Sequence, residues 1–397
     1  MSGHLCSSVF ICGFGFPMDQ LQHKRTLLPR VRRVVVKVGS NVLAGAQDID
    51  RARIARLVGE LAALRRRGYD VALVSSGAVA AGMARLGLTV RPKTVPQKQA
   101  AAAVGQIRLM AYYDEQFSAV EQPVAQILLT HDDLAHRRRY LNARHTFEAL
   151  LEAGVLPIVN ENDSVAVEEM RFNFGDNDNL SALVAVLISA DLLVILSDVP
   201  GLYTADPRSV ADATLVPVVE TIGRDIEAYA GGSGRLGTGG MASKLQAARK
   251  ANDAGIPCII ADGRHADVLP RVFDATQAVG TLCLAAGDRL TRRKHWIAHT
   301  LRPAGAIRVD QGAYEAVAQG GRSLLPKGII AVSGSFGAGE CVSCLRPDGH
   351  EFARGLVSYG AAELERIKGL HTTAIEATLQ YSAGDAVIHR DDLVLLA

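Results

Sequence analysis

Val34-Val35-Val36-Lys37-Val38-Gly39 sets one lysine in a run of valines and ends it on a glycine. Valine is crowded in a helix and suits a pleated, buried strand, so the run reads as an interior strand that stops at Gly39. A lysine inside it is costly to bury unless an anion meets it. The same design recurs further along. Ile54 to Arg67 has helical spacing and stops at Gly68, and Val71-Ala72-Leu73-Val74 is a second strand running into Ser75-Ser76-Gly77-Ala78 and then a helix. Val124 to Leu129, Leu156-Pro157-Ile158-Val159, Leu192 to Leu196 and Pro257-Cys258-Ile259-Ile260 read as further strands, with a helix from Ala143 to Glu152 among them. Strand and helix in alternation predict an α/β fold, a mostly parallel sheet sandwiched by helices.

The pattern changes after Asp288. Arg292-Arg293-Lys294 and Pro303 mark a connector, and short strand-like pieces follow at Ala306 to Val309, Ile329 to Val332, Glu340 to Ser343 and Ala386 to His389. Frequent glycines between them predict a small β-barrel-like domain. The expected organisation is therefore an unstructured extension over 1–30, an α/β domain over 31–287, a linker over 288–302 and the small domain over 303–390. Regular structure is expected from near Arg32. Leu5 to Phe16 is apolar, but no basic segment precedes it and no small-x-small site follows, so it does not read as a signal sequence.

The length of 397 residues favours two domains. A net charge of +2 gives no electrostatic argument for nucleic acid as the main partner. The six cysteines are too scattered for a disulfide framework, which fits a reducing cytoplasm. No apolar run reaches the ~20 residues of a membrane span.

Glycine loops at the carboxyl ends of parallel strands are where open α/β sheets hold ligands. Besides Lys37-Val38-Gly39-Ser40-Asn41, four segments fit. Ser75-Ser76-Gly77-Ala78 turns strand into helix with small residues, whose exposed N–H groups suit an anion. Asn160-Glu161-Asn162-Asp163-Ser164 carries more polar side chains than a turn needs, and Asp163 could pair with an ammonium group. Gly175-Asp176-Asn177-Asp178-Asn179 opens directly into the apolar stretch from Leu180, a poor way to build a core and a good way to build a site. In Thr238-Gly239-Gly240-Met241-Ala242-Ser243-Lys244 a lysine stands in the first turn of a helix, where the dipole opposes it unless an anion is present. The Walker A spacing is absent. Ser197-Asp198 follows a strand and suits a nucleotide pocket. Two lysines at glycine turns beside an acidic cluster suit phosphoryl transfer to an acceptor that is already anionic, which needs no general base.

The set Lys37-Val-Gly-Ser-Asn41, Ser75-Ser-Gly-Ala78, Asn160-Glu-Asn-Asp163, Gly175-Asp-Asn-Asp-Asn179, Leu202-Tyr-Thr-Ala-Asp-Pro-Arg208 and Thr238-Gly-Gly-Met-Ala-Ser-Lys244 closely resembles the glutamate 5-kinases of the amino acid kinase superfamily. The motifs stand in order over residues 32 to 285. The tail, with Ser323-Leu-Leu-Pro-Lys-Gly328, resembles the PUA domain. The resemblance implies ATP with Mg²⁺ as phosphoryl donor and the γ-carboxylate of L-glutamate as acceptor, opening proline biosynthesis. It gives Lys37 and Lys244 the transferring phosphoryl group, with Asp178 orienting both. It gives Ser76, Asp163 and Asn177 the glutamate, with Asp176 nearby. Lys37, Ser197, Asp198 and the run Thr238, Gly239, Gly240, Met241, Ala242, Ser243 and Lys244 would contact ATP. Inhibition by proline, self-association into a homo-oligomer and handover of the labile product to glutamyl phosphate reductase are further implications of the family. Ser75 and Ser243 stand where the family often has threonine, and both keep the hydroxyl.

Kinases of the same fold acting on N-acetylglutamate, aspartate, carbamate or UMP are the nearest alternatives, and Gly175 to Asn179 with Asn160 to Asp163 favours glutamate. A protein working through RNA binding by its tail is the alternative of another class. There Arg302, Arg308, Arg322, Lys327, Arg346 and Arg354 are spread out without an aromatic platform. One Cys341-x-x-Cys344 pair without a second pair reads as structural, and no metal-ligating set is expected.

Overall fold

The computed structural model describes residues 17–45, 48–165, 177–230, 240–285 and 303–396. Gly175, Asp176, Thr238, Gly239 and the expected linker lie outside them. The chain divides into two compact units, 1–130 with 150–286 and 131–149 with 287–397.

In the first unit, helix α1 (Pro17–Leu27) precedes strand β1 (Arg33–Val38). A one-turn helix α2 (Ser40–Leu43), α3 (Arg51–Arg66), β2 (Asp70–Ser75), α4 (Ala78–Arg85), α5 (Val95–Ser118) and β3 (Val124–Leu129) follow. Helix α6 (Arg137–Glu152) begins in the second unit and leads to β4 (Leu156–Glu161) in the first. Then come α7 (Asn177–Leu187), β5 (Leu192–Ser197), β6 (Val218–Val219), α8 (Met241–Asp253), β7 (Cys258–Asp262), α9 (Val268–Val272) and β8 (Thr281–Cys283). The sheet order is β3-β4-β2-β1-β5-β7-β8-β6. Every pairing is parallel except β7 with β8.

The valine run is continuous because β1 is covered on both faces: Val34, Val35, Val36 and Val38 have no exposed surface. Side chains alternate along a strand. Val34, Val36 and Val38 join the core formed with α3, α4 and α5. The intervening Lys37 therefore faces the other layer, where α7 lies, and meets Asp178 at its start. From β1 the sheet grows in two directions, through β2 on one side and β5 on the other, and a strand-order reversal of this kind opens a crevice at the carboxyl ends. Gly39, Ser76, Asn160 and Ser197 stand at or just beyond those ends.

Glycine shapes two places around that crevice. Gly77 turns β2 into α4 with φ +117°, a conformation that resists a side chain. Gly82 and Gly105 let α4 and α5 touch, since a Cβ on either would lie within 2 Å of a carbonyl oxygen of the other helix (1.7 Å from Ala101 O, 1.8 Å from Ala78 O).

The extension expected to be unstructured over 1–30 is corrected for its described part. Gln20 and Lys24 lie on one face of α1, four residues apart, and each has 1% exposure. Gln20 Nε2 donates to the carbonyls of Pro217 (2.9 Å), Val279 (3.3 Å) and Gly280 (3.1 Å), and its Oε1 accepts from Val279 N (2.8 Å). Lys24 Nζ donates to Arg271 O (3.0 Å) and Gln277 O (2.6 Å). These bonds give the two buried polar side chains their partners and hold the helix down.

The second unit holds β9 (Gly305–Val309), α10 (Gln311–Ala318), β10 (Ile329–Gly334), β11 (Cys341–Leu345), β12 (Glu351–Leu356), α11 (Ala361–Ile367), α12 (Ile375–Leu379) and β13 (Leu393–Leu395). Its strands run in the order β10-β9-β11-β12-β13 over a separate core that includes Ile307, Val342, Phe352, Tyr359, Leu364 and Ile388. Ala386 to His389, expected as a strand, makes only an isolated bridge between Leu324 and Ile388, although Val387 and Ile388 are buried in this core. The strands β12 and β13 were not expected. Cys341 and Cys344 are buried on β11 without a disulfide, and burial pushes the Cys344 thiol up to about 12. Residues 131–149 group here, with Arg144 reaching Asp392 (3.1 Å) and Glu148 (2.8 Å). Among the described residues no helix is long and apolar enough to cross a membrane.

Candidate active site

Three groups of side chains converge beyond the carboxyl ends of β1, β2, β4 and β5. The first is charged and buried. Asp178, the second residue of α7, has no exposed surface; Lys37 and Lys244 retain 5% and 4%. Lys37 Nζ pairs with Asp178 Oδ1, Lys244 Nζ lies 3.3 Å from Oδ2, and Ser243 Oγ donates to Oδ2 at 2.7 Å. Burial alone would raise the Asp178 carboxyl, but Lys37 and Lys244, with help from Ser243, hold it below its ordinary value. Lys244 sits in the first turn of α8, where its Nζ also reaches Gly240 O (3.4 Å). Counted within the cluster, two ammonium groups against one carboxylate leave a surplus of positive charge in a buried place, and Asp198 at the end of β5 is a further anion that Lys244 feels. Such a surplus is stable only with an anion at hand, and it needs no reorganisation when that anion gains charge.

The second group is a chain of amides. Asn177 Nδ2 lies within hydrogen-bond reach of Ser75 O (2.9 Å), Ser76 Oγ (3.0 Å) and Asn160 Oδ1 (2.9 Å). Asn160 Oδ1 also accepts from Glu161 N (2.9 Å), and its Nδ2 donates to Gln106 Oε1 (2.7 Å) on α5. A backbone carbonyl can only accept and a backbone N–H can only donate, so these contacts fix both asparagine orientations. The Asn177 hydrogens are spent inside the protein, and its oxygen is the atom left for a ligand. The Ser76 hydroxyl accepts from Asn177 and keeps its own hydrogen to donate. Behind them, Ser75 Oγ and Tyr113 OH lie 2.8 Å apart in the core. A cavity of about 300 Å³, in the size range of small-molecule sites, is lined by Ser40, Ser76, Arg91, Asn160, Asp163 and Asn177 among others.

The third group lies at the end of β5. Ser197 Oγ donates to Asp198 Oδ1 (3.3 Å), and Asn41 Nδ2 donates to Asp198 Oδ2 (2.9 Å). Partial burial would raise the Asp198 carboxyl, but Asn41, its own backbone and Ser197 outweigh that and hold it low.

Of the residues expected from sequence, the structure brings Lys37, Asp178, Ser243 and Lys244 into one cluster. It brings Ser76, Asp163 and Asn177 to one cavity and sets Ser197 beside Asp198. Gly240, Met241 and Ala242 form the start of α8. Asp176, Thr238 and Gly239 are outside the described residues. Four further residues take part. Asn41 and Asn160 stood inside quoted motifs without an assignment of their own. Gln106 and Arg91 gave no signal: one is a glutamine among several polar residues of an alanine-rich helix, the other an arginine in a loop.

Parallel α/β architecture, glycine turns at the switch of strand order and a buried lysine–aspartate–lysine cluster define a small-molecule kinase site. Residues 32–262 match the amino acid kinase family and residues 305–379 match the PUA domain. The glutamate 5-kinase of Geobacter sp. (strain M21) is 54% identical over 375 residues, covering 94% of this chain and 100% of the relative. That of Trichlorobacter lovleyi is 54% identical over 377 residues (94% and 99%), and that of Syntrophus aciditrophicus 47% over 376 residues (94% and 97%). The chain belongs to the glutamate 5-kinase family.

Proposed function

We propose that this protein transfers the γ-phosphoryl group of ATP to the γ-carboxylate of L-glutamate, giving L-glutamyl 5-phosphate and ADP as the first step of proline biosynthesis. A carboxylate oxygen forms the new bond to phosphorus while the bond to the ADP oxygen breaks, and no proton needs removing because the acceptor is ionised. The observation that carries the reading is the buried Lys37–Asp178–Lys244 cluster. Its surplus charge suits a phosphoryl group in flight, and Asp178 holds the two ammonium groups at a fixed separation. The acceptor cavity has the polarity of an amino acid: Asp163 and the Asn177 oxygen suit an ammonium group, and the Ser76 hydroxyl and the start of α4 suit a carboxylate. Ser197, Asp198 and the first turn of α8 then face the nucleotide.

Among the described residues no three His, Cys, Asp or Glu side chains are grouped to hold a metal ion. Mg²⁺ carried chiefly on the nucleotide phosphates, where it neutralises their charge, is part of this reading. A cytoplasmic location, a homo-oligomeric state and competition by proline at the glutamate pocket belong to the same reading.

Trapping the acyl phosphate with hydroxylamine tests it. With ATP and Mg²⁺, L-glutamate should give hydroxamate while N-acetylglutamate and aspartate give little. Lys244→Ala should cut turnover by about 100-fold or more with glutamate binding kept, the scale of losing one transition-state charge partner. Asp163→Ala should instead raise the KM for glutamate. Hydroxamate only with N-acetylglutamate or aspartate would overturn the substrate, and one profile for both variants would overturn the division of roles.

A further inference from the structure

The acceptor cavity contains one cationic group that the proposed reaction leaves unused. L-Glutamate brings three charges, and two have partners: the γ-carboxylate goes to the lysine end, beside the Ser76 hydroxyl and the start of α4, and the ammonium goes to Asp163 and the Asn177 oxygen. The α-carboxylate remains. Arg91 is the cation among the described lining residues of the cavity. It is exposed, and among the described residues no hydrogen bond or ion pair engages its guanidinium. Other arginines of the same unit are tied: Arg53 to Asp50 and two carbonyls, Arg108 to Asp48, Arg65 to Asp70.

Position supports the same assignment. The cavity follows α4 from Gly77, at the sheet end, to Met83. Arg91, which follows α4, lines this cavity together with Asp163 and Asn177, so its guanidinium can meet the carboxylate that shares a carbon with the ammonium. A substrate lying along α4 with its reacting carboxylate toward Lys37 would extend its other end toward Arg91. The neighbouring residue Pro92 is buried, which anchors the loop that presents Arg91.

We infer that Arg91 binds the α-carboxylate of the acceptor and so selects an α-amino diacid over an amino acid with one carboxylate. The inference rests on the function proposed above and adds a specificity-determining residue to it. The guanidinium forms two parallel N–H bonds to a carboxylate, a pairing that lysine does not reproduce.

The test compares L-glutamate with 4-aminobutanoate, which keeps the reacting carboxylate and the amine but lacks the α-carboxylate. Calorimetric binding and hydroxamate turnover are both measured, on the full-length wild type, Arg91→Ala and Arg91→Lys. Arg91→Ala should raise Kd and KM for L-glutamate roughly tenfold or more, the scale of a charge-assisted bond in a partly exposed site, with kcat within about threefold. Its affinity for 4-aminobutanoate should match that of the wild type, so the preference for glutamate collapses. Arg91→Lys should fall between. An unchanged glutamate affinity in Arg91→Ala, or an equal loss for both ligands, would overturn the assignment and leave the α-carboxylate to the N–H groups at the start of α4. Binding and turnover separate the two ideas: a wild type that binds glutamate with the Arg91-dependent preference but makes no hydroxamate would sink the reaction and keep Arg91.

Discussion

Gln106 stands one layer behind the acceptor cavity, yet both asparagines of the site are held through it. Its Oε1 takes one hydrogen of Asn160, Asn160 Oδ1 takes one of Asn177, and the polarity offered to the ligand follows from that sequence of donors and acceptors. Gln106→Leu leaves the Asn160 amide, 4% exposed, without its acceptor, which costs about 1–3 kcal/mol where a buried donor goes unpaired. Gln106→Glu keeps an acceptor at the same reach. The leucine variant should therefore raise the KM for glutamate about tenfold with little change in kcat, whereas the glutamate variant should stay within about threefold of wild type. Steady-state kinetics on the two decide it. Equal behaviour would mean that Gln106 only fills space. Nothing in the sequence marks this residue, because its importance lies in a contact 54 positions along the chain.

Helix α1 raises the same issue for a whole element. Burial lowers the Lys24 ammonium from 10.5 to about 8; Asp274 pulls it back up and Arg271 adds to the lowering. With the folded value depressed, the unfolded chain holds the extra proton between these two limits, so stability rises with pH across that window. Below pH 8 both states are charged and the full burial cost stands; above 10.5 it is gone. The difference is worth about 3 kcal/mol at most. Denaturant unfolding of wild type and Lys24→Met at pH 8 and pH 10 checks this: wild type should gain on the variant as pH rises, and a pH-independent gap would mean that Lys24 is not buried as charge. The sequence of α1 hid this element, since Pro-Met-Asp-Gln-Leu-Gln-His-Lys has no apolar stripe and its partners are carbonyls 197 to 260 positions away. By contrast β1, β2 and β5 were legible because strands covered on both faces need uninterrupted apolar residues, whatever else surrounds them. The glycine and polar residues after them were legible as a site because a core has no use for them there. β12 was missed because Arg354 and Gly355 interrupt it. The structure supplies the reason for the glycine: a Cβ at 355 would lie 2.6 Å from the Ile388 side chain. Asp178 stood out by its place in the sequence, but its pairing with lysines 141 positions before it and 66 after it is visible only in the fold.

At the scale of the molecule, the two compact units have separate hydrophobic cores, one under β1, α3 and α5 and one under β9, β11 and β12. All the residues proposed to touch ATP or glutamate lie in the first, since Lys37, Ser76, Asp163, Asn177, Asp178, Ser197 and Lys244 fall within 1–130 or 150–286. A ligand stabilises what it binds by mass action, about 2.7 kcal/mol at a free concentration 100 times its Kd. Scanning calorimetry of the full chain should then show two transitions. Saturating glutamate with a non-hydrolysable ATP analogue should move one of them upward by roughly 5–10 °C, given the 2–4 °C per kcal/mol usual for a unit of this size. The other should stay within about 1 °C, because nothing in the 131–149 and 287–397 unit gains a contact. A single transition, or two that rise together, would show that the units fold as one and that occupancy of the kinase site is felt in the tail.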